Sequence, residues 1–393
     1  MSLLERDDLA GLDLESAAMP ESDFNDFLHG LRSRELERLP GGARTVLHGG
    51  ASGSWYLEWF DERYPTPVER HIAVEAFSPA PDPLPQNVEW HNRTLGDLSP
   101  VDDSSVDLVF AGQVLEHLWP EDVADFLVEA HRVLRRGGAI AIDSPNRRVT
   151  AMLAWDHPEH TVEFTVPETR ELLGLAGFED VELRGVWLCF DSERDRVLPF
   201  AELGEVAGWD AERRSAEAAA RPDDSFVWWA EAICGERGPK REELHRRVHE
   251  IYELYRSQRF SRMHRTQGSL RDAGDRKVVT GRLGRGGHLL LGPHVPMRPG
   301  RWVARFRLSA APWRLWVRPQ PDEPLGSIDV VIGDDDPTVV AERSLTGRDL
   351  PLDGAEREYE LPFELDETVS GAQFRVHTLG RVRMRAKYPV EVE

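Results

Sequence analysis

Between residues 44 and 190, short apolar runs alternate with segments whose apolar residues recur at helical spacing. The runs "RTVLHGG", "RHIAVEAF", "NVEWHNRTL", "SVDLVFAG", "AIAIDS" and "VELRGVWLCF" predict strands. Between them, "SWYLEWFDERY" predicts a helix stopped by Pro65 and Pro67. Pro120 opens another that runs to Leu134, with Val123, Phe126, Leu127, Ala130 and Leu134 on one face. Pro167 and Gly177 bracket a third, "VPETRELLGLAGF". Such alternation implies a parallel sheet covered by helices on both faces. Upstream, Phe24, Phe27, Leu28 and Leu31 predict a helix over roughly 22–38, stopped by Pro40-Gly41-Gly42.

Beyond 190 the pattern changes twice. Residues 191–222 are a charged, partly helical insertion, after which "SFVWWAEAI" predicts a strand that returns to the same sheet. Residues 240–266 predict a basic helix with Leu244, Val248, Ile251 and Leu254 as its buried stripe. From about 276, runs such as "RWVARFRLSA", "WRLWVRP", "SIDVVIG", "REYELPFEL" and "AQFRVHTLG" are separated by Gly, Pro and Asp turns, which predicts a β-sandwich or jelly roll. The chain therefore divides into a helical lead-in (1–43), an α/β domain with a doubly wound, mostly parallel sheet (44–235), a basic helical connector (236–275) and a separate all-β sandwich or jelly-roll domain (276–393).

Composition narrows the function classes. The formal net charge of −22 argues against a general nucleic-acid partner, which needs a basic surface. No run has the length of a membrane helix, so no membrane insertion is expected. The acidic start "MSLLERDDLAGLDLESAAMP" lacks a signal peptide's basic and apolar regions. Two cysteines, Cys189 and Cys234, make neither a disulfide framework nor a zinc pattern, and the expected location is the cytoplasm.

Ligands of an open parallel sheet bind outside the carboxyl ends of its strands. Three features fall at such ends. Gly49, Gly50, Ala51, Ser52 and Gly53 form a small-residue turn that lets a ligand approach the backbone. Glu75 ends "HIAVE" and can accept two hydrogen bonds from ribose hydroxyls. Gln113 follows "DLVFAG" and faces the same crevice. Together, in this order, they favour a nucleoside-type ligand.

The stretch "SVDLVFAGQVLEHLWPEDVADFLVEAHRVLRRGGAIAIDSPN" (105–146), followed by "HPEHTVEFTVPETRELLGLAGFEDVE", resembles the class I S-adenosylmethionine-dependent methyltransferases of the small-molecule type. The resemblance covers roughly 44–235. It implies a Rossmann-like, seven-stranded sheet whose last strand, "SFVWWAEA", is antiparallel, with S-adenosylmethionine as cofactor. It implies that Gly49–Ser52 hold the methionine end, that Glu75 holds the ribose, and that Asp97, near Leu95 and Gly96, contacts adenine. Gln113 lies where the methionine moiety would pass. The first loop departs from the family: His48 replaces an acid, and Ser52 and Ser54 replace two of three alternating glycines. Some related O-methyltransferases carry a metal-binding Glu before "EH"; Gln113 stands there, so no metal is expected.

Methyl transfer to a hydroxyl needs alignment and removal of a proton. His117 is one candidate base, the alternative being a structural hydrogen bond at the strand end. His157 and His160, with Glu163, lie in the loop where the acceptor enters this fold, as acceptor contacts, bases or loop anchors. Arg147 and Arg148 are either partners of an anionic acceptor or solvated surface charges. In the β domain, loosely similar to modules found beside glycan-modifying enzymes, Trp302, Trp313 and Trp316 could stack on sugars or form core. "GDDDP" (333–337) could hold Ca2+ or be a solvated turn. The expected activity is methylation of a hydroxyl on a sugar, glycan or other small metabolite. The alternative is a scaffold or glycan-binding module whose cofactor loop has decayed. The sequence assigns no oligomeric state.

Overall fold

The computed structural model describes residues 21–273, 276–312, 319–333 and 336–393. The chain forms two compact units: residues up to Trp155 with Val162–Glu253, and Asp156–Thr161 with Leu254–Glu393.

The first unit begins with α1 (Glu21–Glu37), then β1 (Thr45–Gly49), α2 (Ser54–Arg63), β2 (Arg70–Val74), β3 (Val88–His91) and β4 (Val106–Gly112). It continues with α3 (Pro120–Val133), β5 (Leu134–Pro145), α4 (Arg147–Leu153), α5 (Val166–Leu175), β6 (Phe178–Gly185), α6 (Ala211–Ala218) and β7 (Val227–Cys234). The strands make one seven-stranded sheet in the order β3-β2-β1-β4-β5-β7-β6. Strands β1 to β5 pair in parallel, and β7 lies antiparallel to both β5 and β6. The expected doubly wound sheet with an antiparallel last strand is borne out. Its order reverses between β1 and β4, the switch point where such sheets open a crevice.

Local sequence accounts for the elements that frame this point. Pro120 sits in the first turn of α3 with Glu121 and Asp122, and His131 and Arg132 sit in the last, as the helix dipole favours. Tyr56, Leu57, Trp59 and Phe60 bury one face of α2. Two strands are shorter than their apolar runs. β3 ends at His91, and Leu95 leaves the sheet so that its Cδ1 lies where a Cβ on Gly49 would clash. β6 ends at Gly185, where a Cβ would meet the carbonyl of Ala218 and the side chain of Ser225. Trp187 and Leu188 are buried beyond that point.

The helix α7 (Arg241–Phe260) contributes residues to both units. Its buried stripe is Leu244, Val248, Ile251 and Tyr255, whereas Leu254 is 48% exposed. The helical period explains this correction: eleven residues return to within about 20° of the starting face, but ten fall about 80° short.

The second unit contains a six-stranded sheet ordered Ser269–Ala273, Arg276–Thr280, Arg383–Tyr388, Gly300–Ala311, Arg357–Leu365, with Glu391–Val392 beside Gly300–Ala311. A five-stranded sheet is ordered Gly287–Leu290, Val369–Thr378, Pro324–Ile332, Thr338–Thr346, with Pro293–Met297 beside Val369–Thr378. Phe306, Leu361 and Ala386 of the first sheet share one core with Ile328, Val330 and Phe374 of the second, making the expected sandwich. Trp302 packs against that core. Trp313 and Trp316 lie outside the described residues, as do Asp334 and Asp335 of the "GDDDP" turn.

Candidate active site

The first loop follows β1 and turns on Gly50, at φ +71°, whose N–H donates to the Val74 carbonyl at 2.9 Å. This bond draws the loop to the end of β2, next to Glu75. A Cβ on Gly50 would stand 2.5 Å from Val114 Cγ2, so only glycine fits. Gly53, at φ +110°, begins α2, and a Cβ there would meet only Trp55. Ala51 is fully buried and Ser52 is exposed. The loop thus delivers the amino-terminal N–H groups of α2 to the crevice, a place suited to a carboxylate.

His48 does not point into this loop. It is fully buried, 2.9 Å from His71 Nδ1 through its Nε2, with Phe60 and Tyr56 against its ring. His71 Nε2 in turn lies 3.3 Å from Asp61. Burial, aided by His71, depresses the pKa of His48 well below the histidine range, so it stays neutral. The residue that replaces the family's acid braces β1 against β2 and α2.

Glu75 accepts from the N–H groups of Phe77 (2.7 Å) and Ser78 (3.0 Å) through Oε1 alone. The carboxylate is held by its own turn, and Oε2 remains to accept from a diol. Asp97 is engaged differently. It accepts from Ser99 N at 3.1 Å and pairs with Arg93, and those hydrogen bonds, led by the Ser99 hydroxyl, hold its pKa below the ordinary aspartate value.

A polar cluster closes the carboxyl ends of β4 and β5. Asp143, fully buried, accepts from Arg32 Nε at 2.7 Å and Nη2 at 3.1 Å. Its carboxylate also accepts from Gln113 Nε2 at 2.6 Å, and its carbonyl from Gln113 N at 2.9 Å. Gln113 is held in a left-handed conformation, φ +58°, that residues with a Cβ seldom adopt. Glycine at 112 makes room, since a Cβ would lie 2.3 Å from Arg32 Nη2 and 2.5 Å from Asp143 Oδ2. Glu116 is buried in the one-turn helix Leu115–His117. Burial pushes its carboxyl up to about 8, and the nearby Asp143 carboxylate acts in the same direction. Tyr56 is buried on α2, and its hydroxyl has no hydrogen-bond partner among the described residues.

Residues 49–142 match the family model described as a methyltransferase domain. A protein of Mycolicibacterium smegmatis named a "probable S-adenosylmethionine-dependent methyltransferase" is 38% identical over 148 residues, 35% of this chain and 56% of its own. The N-terminal half carries an S-adenosylmethionine-dependent methyltransferase domain. A Mycobacterium tuberculosis protein of the same description is 42% identical over 103 residues, 25% of this chain and 36% of its own. The malonyl-[acyl-carrier protein] O-methyltransferase of Dechloromonas aromatica is 37% identical over 160 residues, 38% of this chain and 58% of its own. The chain thus spans little more than half the length of these relatives at most. A solved S-adenosylmethionine-dependent methyltransferase of Archaeoglobus fulgidus has a TM-score of 0.36 and 18% identity, covering 54% of this chain and 93% of its own.

Within the methyltransferase domain, Gly49, Gly50, Ala51, Ser52, Glu75 and Gln113 gather at the carboxyl ends of β1, β2 and β4. Gln113 is turned onto Asp143 rather than left open. His117 is exposed at the end of its 3-10 turn. His157 and His160 belong to the short segment grouped with the second unit, where their rings stack with centroids 4.4 Å apart. There Asp156 lies 3.2 Å from Arg259 Nε, and the His157 carbonyl accepts from Arg259 at 3.0 Å. Glu163 stays in the methyltransferase domain, buried and accepting from the Thr150 hydroxyl. Arg147 is not a solvated charge, being buried and paired with Glu168; Arg148 lies 3.3 Å from Asp224 with its side chain 37% exposed. Arg32, Tyr56 and Asp143 were not singled out from sequence. The strand-end rule could have found Asp143, which closes "AIAID"; nothing in the sequence pairs it with Arg32.

Proposed function

We propose that the methyltransferase domain moves a methyl group from S-adenosylmethionine to a hydroxyl oxygen of a sugar, glycan or other small metabolite. The observation that carries this reading is Glu75: its carboxylate is oriented through one oxygen, leaving the other for a ribose diol beside a loop that only glycine at position 50 permits. The Gly49–Ser52 backbone and the start of α2 would receive the methionine carboxylate. When bound, S-adenosylmethionine supplies a methyl group on a sulfonium, already activated for in-line displacement. The protein must hold the acceptor oxygen in line and take its proton. His117, His157 and His160 are the candidate bases. Glu116 holds a proton at neutral pH and can donate a hydrogen bond. The Dechloromonas relative's name, an O-methyltransferase, supports oxygen as the acceptor atom. No described helix is long and apolar enough to cross a membrane, and the strong negative charge disfavours a nucleic-acid acceptor. A cytoplasmic location and a small-molecule or glycan partner belong to the same proposal.

The test is transfer of labelled methyl groups to a panel of sugars, glycans and hydroxylated metabolites, with amine acceptors alongside. The reading expects product at an oxygen, and a loss of turnover without loss of cofactor binding in one of His117→Ala, His157→Ala or His160→Ala. Product at nitrogen alone would overturn the choice of acceptor atom.

A further inference from the structure

We propose that the second unit holds a binding site for a phosphate-bearing small ligand of sugar-phosphate type, at a cavity of about 430 Å³ lined by Met263, His264, Arg265, Gln267, Arg282 and Arg285. This proposal does not rest on methyl transfer. The chain carries a net charge of −22 and ties most of its arginines to carboxylates. At this cavity Arg265, Arg282 and Arg285 are exposed and form no ion pair among the described residues. Gathering three unneutralised guanidinium groups is unfavourable unless an anion is shared between them.

Gln267 is the independent observation. It lines the cavity and is only 5% exposed. Its Oε1 accepts from Arg282 N at 2.8 Å, which fixes the amide orientation. Its Nε2 is then a buried donor with no partner among the described residues. Such a donor costs stability unless an acceptor reaches it. The site therefore offers several cationic forks, with the buried Gln267 amide fixed behind them, and no acidic side chain lines it. A phosphate has three terminal oxygens and nearly two charges, so it can satisfy more than one guanidinium at once; a carboxylate saturates one fork. The volume leaves room for a small ring beside the anion.

Calorimetric titration of the full chain with inorganic phosphate, glucose 6-phosphate and glucose tests the site. Saturable binding of glucose 6-phosphate is expected, weakened by added salt, with inorganic phosphate binding less tightly and glucose not at all. The Arg282→Ala/Arg285→Ala double variant and, separately, Gln267→Leu should each lose about tenfold or more in affinity. Arg301→Ala, at an exposed pair with Glu364, should change it less than twofold. The melting temperature of each variant reports whether it has folded, and the two routes into the cavity keep the test decisive if one fails. No saturable binding at about 10 mM, or affinity retained within twofold in both cavity variants, overturns the proposal. Binding of inorganic phosphate without glucose 6-phosphate overturns the ligand class.

Discussion

Replacing Asp143 by Asn keeps the shape of the side chain and removes its charge. Arg32 then faces a neutral amide at the centre of the cluster, with its own side chain only 11% exposed. Breaking a buried ion pair from one side costs about 3–5 kcal/mol, chiefly through the uncompensated charge left behind. The Asn carbonyl can still accept from Arg32 or Gln113, so the lower end, about 3 kcal/mol, is expected. With a urea m value of about 3 kcal/mol/M, the unfolding midpoint should fall by about 1 M. Tryptophan fluorescence reads the relevant unit, because Trp55, Trp59, Trp90, Trp119, Trp155, Trp187, Trp209, Trp228 and Trp229 all belong to it. The double change Arg32→Met/Asp143→Leu should recover most of the loss, since it leaves no buried charge. A midpoint shift below about 0.2 M for Asp143→Asn would refute the reasoning: the pair would then be solvated enough to contribute little.

Gly50→Ala should destabilise the first unit by about 1–2 kcal/mol from the left-handed backbone alone, with more from displacing Val114, and urea unfolding measures it. Glu116→Gln probes a pH effect whose sign is fixed by the direction of the shift. The folded carboxyl, raised to about 8, keeps a proton that the unfolded chain loses near 4.5, so its contribution is full below 4.5 and is lost as pH rises to about 8. The variant should lack that decline, a difference of at most about 5 kcal/mol between pH 5 and pH 9 in parallel denaturation curves. On α7, Leu254→Glu should change stability by less than about 0.5 kcal/mol, while Tyr255→Ala should cost about 3 kcal/mol or more.

Features that depend on local periodicity were legible before the structure. β-branched runs and Pro or Gly stops locate β1, β2, β4 and β5, and Glu75 is legible because it closes an apolar run. The antiparallel β7 rests on the resemblance, since "SFVWWAEAI" has no periodicity that marks its direction. Leu254 and Tyr255 differ by one residue and about 100° of helix, so an apolar count assigns the stripe to the wrong neighbour. The polar cluster is illegible for another reason. Arg32 and Asp143 are separated by 111 residues and meet only because α1 and the end of β5 are brought to one place. His48 likewise reads as a flawed loop residue until the sheet sets it beside His71. There it braces the strands, and the loop turns into the crevice on Gly50 and Gly53.

Calorimetry with S-adenosylhomocysteine, on the full chain and on Glu75→Ala, tests the central claim most directly. The account predicts saturable micromolar-range binding to the full chain and a loss of about 1.5–3 kcal/mol, roughly tenfold to a hundredfold in Kd, when the carboxylate is removed. Absence of binding at millimolar concentration, or equal affinity in the Glu75→Ala protein, would contradict it.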